Sequence, residues 1–273
     1  MSAPLARGRS SEVFPAESGR VLKLYFAGAS PDEVDREVED SLTAQQLGIT
    51  PVRCYGRVEQ DGRLGILFDR IEGVPLTSIA ERNILRLPEV GRTLAREHVA
   101  VHAAETSAMP DVREVALAQL AKPAFASLSP AERAGLERHL RALPSGRAVL
   151  HLDFHPQNVF VVTGRNVVID WQTAAAGDPA ADVAVTRLLL REAELFPGTS
   201  LPMRIVYAAV RRILLRHYLA EYLRRGTATL ADVDRWAIAA RVLRLGLLDV
   251  PSERERMLVG IRRELAAVQG TTP

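Results

Sequence analysis

Twenty residues in the middle of the chain gather the groups best suited to chemistry. His151-Leu152-Asp153-Phe154-His155-Pro156-Gln157-Asn158 is followed, twelve residues after Asn158, by Asp170. Asp153 is placed to accept a proton from a hydroxyl. Asn158 and Asp170 offer side-chain oxygens, the ligands a hard cation such as Mg2+ prefers. Phosphoryl transfer from ATP asks for little more: an acceptor held in line with the γ-phosphate, cations that neutralise charge, and a base at the acceptor hydroxyl. The spacing His-x-Asp-x-x-x-x-Asn, with a further Asp after an apolar strand, is the one that this chemistry uses. Singly, these residues read as a capping Asp, a turn Asn and a strand-end Asp. As a set they point to a phosphotransferase.

The flanking pattern predicts a hairpin to hold them. Val159-Phe160-Val161-Val162 and Val167-Val168-Ile169-Asp170 read as strands joined through Thr163-Gly164-Arg165-Asn166. Ala148-Val149-Leu150 is an apolar run leading into the loop.

Upstream, the first seventy residues read as β-rich with one helix. Strands are expected at 12–15 and 20–26, and again around 52–58 and 64–69 with a turn at Gln60-Asp61-Gly62. Between them, Ser30, Pro31, Asp32 and Glu33 mark a helix start with capping-box spacing, and Gly48 and Pro51 a stop. Ile71-Glu72-Gly73-Val74-Pro75 reads as a linker. Beyond it the chain is mostly helical: about 88–105, 111–121 and 130–143, then from Pro179 onward, with a loop at 197–202.

Composition narrows the function classes. The 273 residues carry a formal net charge of +2 with dispersed basic residues, which argues against nucleic acid as a partner. The lone cysteine, Cys54, excludes an internal disulfide and a multi-cysteine zinc site. No run approaches ~20 apolar residues, so no membrane partner is expected and a cytoplasmic location is. Lysine occurs only at Lys23 and Lys122 among 35 basic residues. Lys23 sits inside the apolar run Val21-Leu22-Lys23-Leu24-Tyr25, where it reads either as an exposed strand residue or as a slim point charge at a place the planar arginine fork does not fit.

The motifs resemble those of the aminoglycoside phosphotransferase and choline kinase family, relatives of the protein kinases. That family shows His-Gly-Asp-Phe/Leu-His-x-x-Asn, a strand ending Ile-Asp-Trp/Phe, and Ala-x-x-Gly-Asp-Pro-x-x-Asp-Leu-Ala. This chain reads Ile169-Asp170-Trp171 and then Ala174-Ala175-Ala176-Gly177-Asp178-Pro179-Ala180-Ala181-Asp182-Val183-Ala184, with Leu152 in place of the glycine. The resemblance implies an α+β, protein-kinase-like two-lobed fold: a nucleotide-binding lobe over residues 1–73 and a catalytic, substrate-binding lobe over 74–273, with ATP between them. It implies Asp153 as base, and Asn158 and Asp170 as magnesium ligands. It further implies Lys23 on the α- and β-phosphates, held by Glu37 in preference to its helical neighbour Glu33. Adenine would meet the hinge at Asp69 to Ile71, and Gly8-Arg9-Ser10-Ser11 would lie over the phosphates.

Other residues have plainer readings. Asp178 and Asp182 are expected to brace the loop, and His151 to orient its backbone. His98 and His102 have metal-binding spacing but no complete ligand set in sequence, and read as structural. Trp171 and Trp236 read as core. Ile205, Ala209, Ile213 and Leu214 form the apolar stripe of an amphipathic helix whose other face carries Arg211, Arg212 and Arg216. From Val183 onward fifteen arginines face nine acidic residues, an excess of six positive charges that disfavours a polycationic acceptor. A small-molecule hydroxyl is the expected partner. The alternatives are a nucleotide-binding pseudokinase, which has no need of Lys23, Asp153, Asn158 and Asp170 together, and a protein kinase, whose Ala-Pro-Glu element is missing.

Overall fold

In the structure, a computed structural model, residues 3–192 and 201–270 are described. In chain order the elements are β1 (Ala6–Arg7), β2 (Ser11–Ala16), β3 (Arg20–Tyr25), α1 (Pro31–Gln46), β4 (Cys54–Gln60), β5 (Arg63–Asp69) and β6 (Val74–Pro75). Next come α2 (Thr77–Arg82), α3 (Leu87–His102), α4 (Val112–Gln119), α5 (Pro130–Arg141), β7 (Ala148–Leu150), β8 (Val159–Val162), β9 (Arg165–Val168) and β10 (Ala175–Gly177). Helices complete the chain: α6 (Pro179–Glu192), α7 (Leu201–Arg225), α8 (Leu230–Arg235), α9 (Ala237–Leu248) and α10 (Pro251–Gly270). This is the α+β, kinase-like fold. None of the described helices is long and apolar enough to cross a membrane.

Two compact units form, Met1–Leu76 with Gln157–Ala174, and Thr77–Pro156 with Ala175–Pro273. In the first, an antiparallel sheet has the order β1-β2-β3-β5-β4. Strand alternation sets its faces. Leu22 and Leu24 pack with Phe14 on one side, which leaves Lys23 and Tyr25 on the other. There Tyr25 joins Val34 of α1, Cys54 and Ile66.

Helix α1 starts at Pro31 with Asp32 and Glu33 in its first turn. The expected capping box does not form, because the Ser30 side chain makes no cap hydrogen bond and Glu33 stays exposed. Its buried face carries Val34, Glu37, Ser41 and Ala44, at the three- and four-residue steps of a helix. Glu37 is thus delivered against the sheet by the same stripe that packs the core.

The hairpin belongs to this unit. Val74-Pro75, expected as bare linker, instead pairs as β6 with β8 in a small sheet of order β6-β8-β9. A Cβ on Gly73 would lie 2.7 Å from the Val161 carbonyl oxygen, so only glycine permits that approach. Thr50 Oγ1 donates to the Val168 carbonyl at 2.9 Å and fastens the hairpin from the far side. Its turn is tighter than the sequence suggested: Val162 pairs Arg165, leaving Thr163 and Gly164 as the turn, with Gly164 at φ 83°. β9 therefore ends at Val168, and Asp170 lies beyond the strand at φ 69° rather than in it.

In the second unit β7 pairs with β10, Val149 opposite Ala176, a strand pair that short apolar runs did not disclose. The candidate catalytic loop leaves β7, and α6 follows β10. α7 departs from expectation: Ala209 and Ile213 are exposed, and its buried face is Leu214, Tyr218 and Tyr222. Leu214 is the member of the expected stripe that is buried, and the rings of Tyr218 and Tyr222 continue the face. The side chain of Ile205 and residues 197–200 of the expected loop lie outside the described residues, while Leu201 and Pro202 already belong to α7.

Candidate active site

In the first unit three charged groups meet. Lys23 Nζ lies 2.6 Å from Glu37 Oε1 and 2.7 Å from Asp170 Oδ1. The Tyr25 hydroxyl donates to the second oxygen of Glu37. Glu37 is 1% exposed, so its charge depends on these donors. Burial alone would lower the Lys23 pKa, but Asp170, Glu37 and Tyr25 outweigh it and hold the ammonium well above its ordinary value. Lys23 is a firmly charged cation tied to both carboxylates.

Asn158 and Asp170 lie at the open end of the hairpin. The Asn158 carbonyl accepts from Ile169 N–H at 3.0 Å, just outside the Val159–Val168 pair. Both side chains offer oxygen, the donor set that suits magnesium. Ser10 and Ser11 lie where β1 turns into β2, with Gly8 N–H donating to the Ser11 carbonyl at 2.8 Å and Phe26 N–H to that of Ser10 at 2.9 Å. Ser11 is buried and Ser10 exposed. Asp69 ends β5 and its carboxylate accepts from Tyr55 Oη at 2.8 Å and Arg53 N–H at 3.1 Å. Ile71 follows, half-buried.

The second unit holds Asp153. His151 and Phe154 are fully buried, Leu152 is 2% exposed, and the Asp153 side chain is 19% exposed. Asp153 N–H donates to His151 Nδ1 at 3.3 Å. His155 Nε2 lies 3.4 Å from Asp153 Oδ2, and Arg244 Nη1 lies 3.6 Å from Oδ1. Burial pushes the Asp153 carboxyl up, and His155, Arg244 and His151 more than reverse this, bringing it down to about 2.

Beneath the loop sits Asp182. Its two oxygens accept the backbone N–H groups of His151 at 2.5 Å and Leu152 at 3.0 Å. His98 Nε2 and His102 Nε2 lie 3.0 and 3.3 Å from Oδ2. The far nitrogens of these histidines meet the hydroxyls of Tyr218 and Tyr222 at 2.7 and 2.6 Å. Asp182 thus supplies the third member that the histidine pair lacked in sequence. Its oxygens are already engaged by backbone amides, so the cluster works as a hydrogen-bonded hub that fixes the loop. Burial raises the Asp182 carboxyl, yet His98 and His102 carry it well below the usual range. His98 itself is lowered to about 4, by burial first and then by His102, and is neutral near pH 7. Asp178 braces differently: it accepts Ala180 N–H at 2.9 Å and Trp236 Nε1–H at 3.3 Å.

Sequence reading missed Tyr25, Arg244 and Glu253, whose carboxylate accepts from Arg244 Nε at 2.9 Å. The only local signal was for Tyr25, which shares the strand face of Lys23 two residues on.

The chain's sequence matches the phosphotransferase enzyme family (APH) over residues 3–228. The chain belongs to this family. A thermostable mutant of aminoglycoside phosphotransferase APH(4)-Ia is similar in fold, with TM-score 0.66 and 19% identity over 98% of this chain and 95% of that one. The choline kinase LicA from Streptococcus pneumoniae follows with TM-score 0.56 and 18% identity, over 98% and 94%. A choline/ethanolamine kinase family protein from Mesorhizobium loti gives TM-score 0.52 and 15% identity, over 99% and 88%. No curated protein sequence matches the chain.

Proposed function

We propose that the chain transfers the γ-phosphate of ATP to a hydroxyl group of a small molecule. The observation that supports this most is Lys23 bonded at once to Glu37 and Asp170, at 2.6 and 2.7 Å. A lysine held by a helix carboxylate and set beside the aspartate after the β8–β9 hairpin is the constellation that phosphoryl transfer in kinase-like folds uses.

In this reading Lys23 binds the α- and β-phosphate oxygens, and Glu37, itself held by Tyr25, fixes its direction. Backbone groups at Asp69 to Ile71 receive the adenine. The N–H groups of Asp69 and Arg70 already donate to the Arg53 and Gly19 carbonyls, so this recognition falls chiefly to Ile71 and its neighbours. The turn at Ser10 and Ser11 covers the phosphates through its backbone, since the Ser11 side chain is buried. Asn158 and Asp170 would hold Mg2+, which when bound neutralises charge developing on the transferred phosphoryl group. Asp153 accepts a hydrogen bond from the acceptor hydroxyl, orients it in line, and takes its proton as transfer proceeds. With its carboxyl held low, Asp153 orients more than it deprotonates, which suits a loose transition state in which the proton leaves late.

A neighbouring fold was solved with ADP and hygromycin B, at 20% identity and TM-score 0.57 over 98% of this chain and 90% of that one. The acceptor here is better sought among neutral or anionic alcohols, given the arginine excess beyond Val183. Magnesium-dependent ATP turnover against a panel of sugars, hydroxy acids, amino alcohols and antibiotics, with Asp153→Asn as control, tests the proposal. Tight ATP binding without turnover on any acceptor would favour a regulator.

A further inference from the structure

Asp153 is approached from a direction that its motif does not contain. Arg244 of α9 is 5% exposed and points Nη1 at Asp153 Oδ1, 3.6 Å away. From behind, Glu253 of α10, itself 2% exposed, grips the same guanidinium at Nε, 2.9 Å, and Nη2, 3.3 Å. Both residues lie beyond residue 228, where the family match ends. The arrangement is therefore carried by this chain's last two helices rather than by the motif.

The geometry limits what Arg244 can do. A planar fork bonded on one edge by a carboxylate has its remaining nitrogen fixed in direction. A buried arginine–glutamate pair is seldom more stabilising than an apolar pair of equal volume, so stability alone gives it little to do. What it supplies is a positive charge at a set place beside Asp153. Among the described residues, the titratable side chains that act on Asp153 include His151 and His155 of its own loop, and Glu253 stands behind Arg244.

We propose that Arg244, clamped by Glu253, is a positioning residue for Asp153: it fixes the orientation of that carboxylate and keeps it ionised for the acceptor hydroxyl. The proposal rests on the reading of Asp153 as the group that orients and deprotonates the acceptor. Burial works against ionisation at this position, and Arg244 is one of the groups that overcome it.

The test is the carboxyl titration of Asp153, followed by 13C NMR in the full chain labelled at aspartate, with Asp153→Asn assigning the resonance. Arg244→Met alone would strand Glu253 as a buried charge and endanger folding. The pair is therefore removed together, as Arg244→Met/Glu253→Met and, separately, as the polar Arg244→Gln/Glu253→Gln. In either folded variant the Asp153 midpoint is expected to rise by about one to three units. Arg244→Lys, which keeps the charge, should hold it near the wild-type value. Replacing a neighbouring ion pair, Arg241 of α9 with Glu192 of α6, as Arg241→Met/Glu192→Met, should leave it unmoved. A folded double variant whose Asp153 titrates as in the wild type overturns the proposal. The titration needs neither acceptor nor turnover, so it stands apart from the phosphotransfer reading, which Asp153→Asn turnover tests by itself.

Discussion

Leu152 stands at φ 59°, and its N–H donates to the buried carboxylate of Asp182 at 3.0 Å. A left-handed backbone costs a non-glycine residue roughly 1–2 kcal/mol. Here the strained residue sits between His151 and Asp153, where the related motif has glycine. Two forces hold it: the Asp182 hydrogen bonds, and the burial of the leucine side chain to 2% exposure.

Those forces can be separated by substitution. Leu152→Ala loses the packing and keeps the strain, and should cost about 2–5 kcal/mol in urea unfolding. Leu152→Gly loses the same packing but relieves the strain, and should be less destabilised than the alanine variant by about 1 kcal/mol. Were glycine the less stable of the two, strain at this position would not be a significant term.

Asp182→Asn removes the negative charge that two histidines and two backbone amides share. Breaking such a buried set is expected to cost about 3 kcal/mol or more. Because the loop that carries Asp153 loses its anchor, turnover should fall even in the fraction that remains folded. Circular dichroism paired with activity on the same sample checks both halves.

His98 makes stability depend on acid. Folding lowers its pKa from 6.5 to about 4, so between those values the unfolded chain binds a proton that the folded chain does not. Stability therefore falls as pH falls through that window, by about 3 kcal/mol in total from this group. Unfolding midpoints in urea, taken from pH 7 to pH 4, should show the slope. In His98→Gln the slope should flatten.

Lys23→Met should lower turnover by about a hundredfold or more, the scale seen when a preorganised charge at a reacting group is removed. It should also destabilise the fold, since Glu37 then keeps only the Tyr25 hydroxyl of these two donors. Lys23→Arg retains the charge, but its fork does not fit the 2.6 and 2.7 Å contacts to two separate carboxylates. Nucleotide affinity and turnover measured together separate the two variants, with arginine the milder on stability and still impaired in turnover.

Local rules carried some of this and tertiary pairing carried the rest. The apolar alternation of β3 and the start signals of α1 were readable, and they bring Lys23 and Glu37 together because strand face and helix stripe are local periodicities. Asp170 was readable as a residue, but its place beyond β9 depended on a two-residue turn at Thr163 and Gly164. β6 and β10 were not readable, since two- and three-residue strands exist only by virtue of partners far along the chain. Arg244 lies in α9, which is buried on all sides from Ile238 to Gly246, and Glu253 lies in the first turn of α10; nothing near them in sequence marks the loop that Arg244 reaches.

The most direct measurement is transfer of labelled γ-phosphate from ATP, in the presence of magnesium, to a panel of small hydroxyl compounds by the wild type and by Asp153→Asn and Asp170→Asn. We expect at least one compound to be phosphorylated, with each variant reduced by about a hundredfold or more while still binding nucleotide or remaining folded. Equal transfer by wild type and Asp153→Asn, or label appearing only on protein, would contradict the account.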